Sequence, residues 1–164
     1  MKPKATKITP TIVLFNEKTS DSADYDKMLF EQYKLYVELA DRISQRRSIA
    51  NSFFITANAA LLAITSWFSN DINHHIYFIA VIGIILALSW YFIIGSYRQL
   101  NSGKFKLIHE LEQRLPLNLF SYEWEMLDKG ESKKTYWPLS HVESVVPLLF
   151  IAVYIVLVIF TLCS

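Results

Sequence analysis

A single cysteine, Cys163, leaves the chain unable to form a disulfide within itself, so nothing covalent staples its fold. Glycine and proline are scarce too, four and five in 164 residues, and neither occurs between Asp21 and Phe68. The usual helix breakers are therefore missing from a long stretch. Charge is missing elsewhere. Ile49 to Phe68, Ile76 to Gly95 and Val142 to Cys163 share one charged side chain, Glu143, and Ser69 to His75 contains no Lys or Arg. Nor is there a nucleophile motif, a phosphate loop or a Cys/His cluster. Glu123 and Glu125 of "EWE" are two apart and point away from each other on a helix, which works against a paired acid and base. His74 and His75 are adjacent without a spaced third ligand, the pattern of an exposed loop rather than a metal site. Sixteen bases against fifteen acids imply no nucleic-acid face. No catalytic, cofactor or metal site is expected.

What is present is oil: 52% of residues are hydrophobic and 15% aromatic, more than a small soluble domain usually carries. The excess lies in these three runs, each near the roughly 20 residues that cross the hydrocarbon core. They lack the polar face that a buried soluble helix would keep. An all-α membrane protein with three transmembrane helices is expected, spanning 48–68, 76–97 and 142–163. All sixteen Lys and Arg fall in Met1 to Arg47 or Arg98 to Lys134. The positive-inside rule then puts the amino terminus and the middle segment, 98–141, in the cytoplasm and the carboxy terminus outside. Trp67, Phe68, Tyr77, Phe78, Tyr136 and Trp137 fall near the expected boundaries, where amphipathic rings prefer to sit.

The amino-terminal arm, 1–22, contains "TKITPTIVLFN", β-branched enough for a short strand although it carries Pro10. From about Ala23 one helix is expected to run through a cytoplasmic part, 23–47, into the membrane, with Tyr25, Leu29, Tyr36, Leu39 and Ile43 as its packed stripe and Gln32 in the gap. Its partner is the inward continuation of the second membrane helix, with Leu100, Lys104, Leu107, Leu111 and Leu115 at helical spacing until Pro116. "LNLFSYEWEMLDKG" reads as a shorter helix closed by Gly130. Ser140 to Glu143 fits a capping box that would open the third membrane helix.

Two features carry function. In "DRISQRR", Arg42, Arg46 and Arg47 sit at the inner interface, as an anchor paired with lipid phosphates or with Glu38 and Asp41, as a ligand-binding cluster, or as salt-bridge partners inside an assembly. Ser44, Asn51, Asn58 and Thr65 recur every seven residues and form one polar stripe along the first helix. Lipid is a poor neighbour for an amide, so the stripe should face a packing seam of the oligomer or an aqueous path through it. Gly83 and Ala87 offer a small patch for close helix approach.

"YKLYVELADRISQRRSIANSFFITANAAL", "YRQLNSGKFKLIHELEQRLP", "FSYEW" and "PLSHVESVVP" resemble the RipA-type family of small bacterial membrane proteins, described as octameric. The likeness covers most of Tyr33 to Phe150, and the pattern of Tyr36, Glu38, Asp41, Arg46, Arg47, Asn51 and Asn58 is its most specific part. It implies an inner-membrane homo-oligomer, an octamer, without known catalysis and linked to envelope homeostasis; it brings no active-site residues. A looser similarity is to the membrane effector domains of nucleotide-triggered defence systems, from which the third membrane helix departs. The leading expectation is a non-enzymatic scaffold whose partners are membrane lipids and its own copies, with room for an unidentified cytoplasmic ligand or protein. The alternative is a cytoplasmically gated pore. A lipid-modifying enzyme is the third class, and it lacks the convergent groups it would need.

Overall fold

A computed structural model describes residues 14–15, 22–65, 72–130 and 139–163; side chains are not described at 22–23, 72–75, 130 and 139–141. Four helices follow in order: α1 (Ser22–Thr65), α2 (Ile72–Glu112), α3 (Leu119–Met126) and α4 (Leu139–Cys163). Three of them, α1, α2 and α4, contain stretches long and apolar enough to cross a membrane. With 44 residues, α1 is about 66 Å long at 1.5 Å per residue, twice the hydrocarbon thickness. Its polar half and that of α2 therefore continue well beyond the apolar part. The expected strand lies outside the described residues apart from Leu14 and Phe15, which form a bend. Trp67, Phe68, Tyr136 and Trp137 also lie outside them.

The middle layer is α2, which packs α1 and α4 against it. Its contact stripe is Ala80, Gly83, Ala87, Trp90 and Ile94, all buried, at alternating three- and four-residue steps. Small residues occupy the first three positions and large ones the next two. Trp90 stacks on Phe54 of α1 with ring centres 5.8 Å apart and lies 6.0 Å from Phe150 of α4, with Ile94 completing the cluster. These rings bury the most area per residue and fix the three helices side by side.

The packed face of α1 keeps the expected register at Leu29, Tyr36 and Ile43 and adds Tyr33 and Ala40. Leu29, Ala40 and Ile43 are buried, Tyr33, Tyr36 and Leu39 are half-buried, and Gln32 is exposed. On α2, Leu100 is exposed, while Ile108 and Leu111 are buried. That helix stops at Glu112, before Pro116, and the Arg114 and Leu115 amides close its last turn on the Leu111 and Glu112 carbonyls. Gly130 does not terminate α3. That helix ends at Met126, and Asp128 and Lys129 beyond it both stand at φ 52° in the left-handed region, where non-glycine residues carry a steric cost.

Candidate functional site

The polar stripe of α1 closes inside a single chain. Asn58 has no exposed surface; its Nδ2 donates to the Phe54 carbonyl at 2.8 Å, and its Oδ1 lies 3.2 Å from the Tyr154 hydroxyl of α4. The Asn58 carbonyl is 3.3 Å from the same hydroxyl, so one Tyr154 proton is shared between two acceptors. One heptad away, Asn51 Oδ1 accepts from Trp90 Nε1 of α2 at 2.9 Å. The outer two residues are satisfied within α1, Ser44 by donating to the Ala40 carbonyl and Thr65 to that of Leu62. The seam expected between copies is thus, at Asn51 and Asn58, a seam between helices of one protomer. Asn58, sealed from solvent, cannot line a path in this arrangement.

Gly83 explains how Tyr154 reaches Asn58. A Cβ at position 83 would penetrate the Tyr154 ring, so the ring occupies the space that the missing side chain leaves. Ala87, one turn along, is fully buried. The close approach expected of this pair is made to α4, and its purpose is to seat an aromatic ring whose hydroxyl then satisfies Asn58.

The three arginines separate. Arg42 donates to Glu38 at 2.7 Å along the α1 surface, an exposed pair of small energetic value. Arg46 is exposed. Arg47 turns inward to α4, where its Nε meets Glu143 Oε2 at 3.2 Å with both side chains mostly buried. The contact is an ion pair without hydrogen-bond geometry. Asp41 accepts from Gln45 rather than from an arginine. Glu143 therefore serves as the counter-ion of Arg47, not as a helix cap, and α4 already begins at Leu139. Pro147, buried within α4, lacks the N–H that would bond the Glu143 carbonyl.

A second polar centre was not legible as such. Glu112, at the end of α2, has no exposed surface and accepts four hydrogen bonds: from the Phe120 amide at 2.8 Å, the Ser121 amide and hydroxyl at 3.0 Å each, and Tyr33 of α1 at 3.1 Å. Burial alone would push its carboxyl up, but those bonds outweigh it and hold the group below the usual carboxylate range. Tyr33 is pushed up to about 12, first by burial and then by its bond to the carboxylate. The second Glu of "HELEQ" gives no sign of burial, because its partners include backbone amides that appear only once α3 turns back. His109 Nδ1 lies 2.9 Å from Ser121 Oγ and 3.8 Å from Glu112. Here the serine stands between histidine and acid, with its proton on Glu112; a catalytic triad places the histidine between them.

Glu123 and Glu125 are both exposed on α3, and among the described residues no three His, Cys, Asp or Glu side chains are grouped to hold a metal. No curated protein and no solved structure matches the chain. A family model does, over residues 30–163, from the polar half of α1 to the end of α4. That stretch includes Asn51, Asn58, Gly83, Glu112, Glu143 and Tyr154. The chain belongs to the octameric membrane protein family (8xMP).

Proposed function

We propose that the protein is a non-catalytic, homo-oligomeric scaffold of the bacterial inner membrane that serves envelope homeostasis, with its amino terminus and α3 in the cytoplasm and Cys163 outside. The observation that carries this reading is the closure of Asn58 on Tyr154: the most polar groups of the spans are spent on holding one protomer together. Family membership supports the assembly, the distribution of Lys and Arg supports the orientation, and the envelope role rests on the resemblance noted above. Lipids contact the outward apolar faces, where Phe78, Phe92 and Phe160 are about 70% exposed.

One observation favours a second reading, a cytoplasmically gated pore. Ser48, Ser52 and Thr56 are exposed and four residues apart, a row of hydroxyls on the outer face of α1. Liposomes carrying the assembled wild-type protein should leak ions no faster than empty ones, and Cys163 should react with a membrane-impermeant thiol reagent on intact cells. Wild-type flux that vanishes in Ser52→Leu with Thr56→Leu, at unchanged subunit count, would replace the scaffold by the pore.

A further inference from the structure

The short helix α3 is held at one end and bare at the other. All three bonds from α3 to Glu112 come from its first turn, and Phe120 adds an edge contact to Phe105 of α2, ring centres 5.8 Å apart. No residue of α3 is buried. Leu119, Tyr122 and Met126 lie on one face at i, i+3 and i+7, each more than 60% exposed, with Leu117 equally bare just before them. A fully buried carboxylate therefore fixes the direction of an arm whose apolar face is left uncovered by the described residues of its own chain.

Distance argues against hydrocarbon as the cover. From Gly95, the end of the uncharged run of α2, to Glu112 is about 25 Å of continuous helix, which carries α3 clear of the hydrocarbon. The bonds of Glu112 to Tyr33 and of Arg114 to Tyr25 set α3 level with the first turns of α1. At that level α1 exposes Met28 and Leu35, seven residues apart on one flank. Copies inserted alike in one membrane are related by rotation about its normal, so a surface can meet only surfaces at its own height. A closed ring of eight further requires two different patches, one facing forward and one back.

We infer that the Leu119–Tyr122–Met126 face of α3 docks on the Met28–Leu35 flank of α1 in the neighbouring copy, so that Glu112 orients the contact that closes the ring. This rests on the homo-oligomeric reading above and adds the surface that makes it. The test uses the full chain with Cys163→Ser in native membranes, carrying Tyr122→Cys, Leu35→Cys or both, treated with a short thiol cross-linker, with native mass measured in parallel. The double variant should give a ladder of cross-linked copies reaching eight, and each single variant almost none. Absence of the ladder in an assembly of eight would overturn the docking and leave the oligomer standing. Equal dimers from Tyr122→Cys alone, or capture of that residue only by a different polypeptide, would overturn it as well. A mass of one copy would instead defeat the homo-oligomeric reading itself.

Discussion

Gly83→Ala is expected to destabilise the folded chain by about 1–3 kcal/mol, the usual cost of overpacking a full site. The direction is diagnostic. In a helix interior the same change normally stabilises by roughly 1 kcal/mol, because alanine loses less backbone freedom on folding. Here the new methyl would enter the ring of Tyr154, which has no exposed surface and no room to withdraw. Unfolding of the purified protein in detergent measures the loss, and a second variant identifies its source. With Tyr154→Leu in the same chain the alanine should cost far less than it does alone, giving a clear departure from additivity. Tyr154→Phe should bring no such relief, since the ring remains. If Gly83→Ala is harmless, Tyr154 does not occupy the glycine's place.

Glu112→Ala should cost more, about 3–5 kcal/mol, because it leaves two part-buried amides and two part-buried hydroxyls without their shared acceptor. The pH dependence follows from the two shifts. Glu112 sits below its ordinary value when folded, so its contribution is complete above the unfolded carboxylate pKa of about 4.3 and is lost as pH falls through the lower folded value. Tyr33 is raised to about 12, so its part is intact below the unfolded value of about 10 and is lost as pH rises from there through the folded one. Stability should therefore be level from about pH 5 to about pH 10 as far as this pair is concerned. Titrating the unfolding of wild type and Glu112→Gln gives the difference curve. The gap should be widest near neutrality and narrow in acid below about pH 4; a gap of constant size would mean that the carboxyl titrates alike in the folded and unfolded chain.

Three spans and a long first helix were legible because each depends on local composition: an apolar run of the right length, and no Gly or Pro between Asp21 and Phe68. The heptad spacing likewise marked Asn51 and Asn58 as residues needing partners. What the spacing could not supply was whose residues those partners would be. Trp90 lies 39 residues from Asn51 and Tyr154 lies 96 from Asn58, and no local rule pairs positions so distant. The same limit hid Glu143 behind a local capping box when its partner was Arg47, and hid Glu112 altogether. Gly83 was recognisable as small, yet only the ring that fills its place shows why it must be.

The most direct measurement of a seam closed within each protomer is a double-mutant cycle between Asn58→Leu and Tyr154→Phe, read as unfolding free energy of the assembled protein in bicelles. The bond from Asn58 to the Phe54 carbonyl is lost in both arms that carry the leucine and cancels, so the cycle isolates the amide–hydroxyl contact. A coupling of about 0.6–1.7 kcal/mol, the range of hydrogen bonds between membrane helices, is expected with the subunit count unchanged. Coupling indistinguishable from zero, together with ion flux through the wild type that Asn58→Leu abolishes, would contradict it and place Asn58 on a water-filled path.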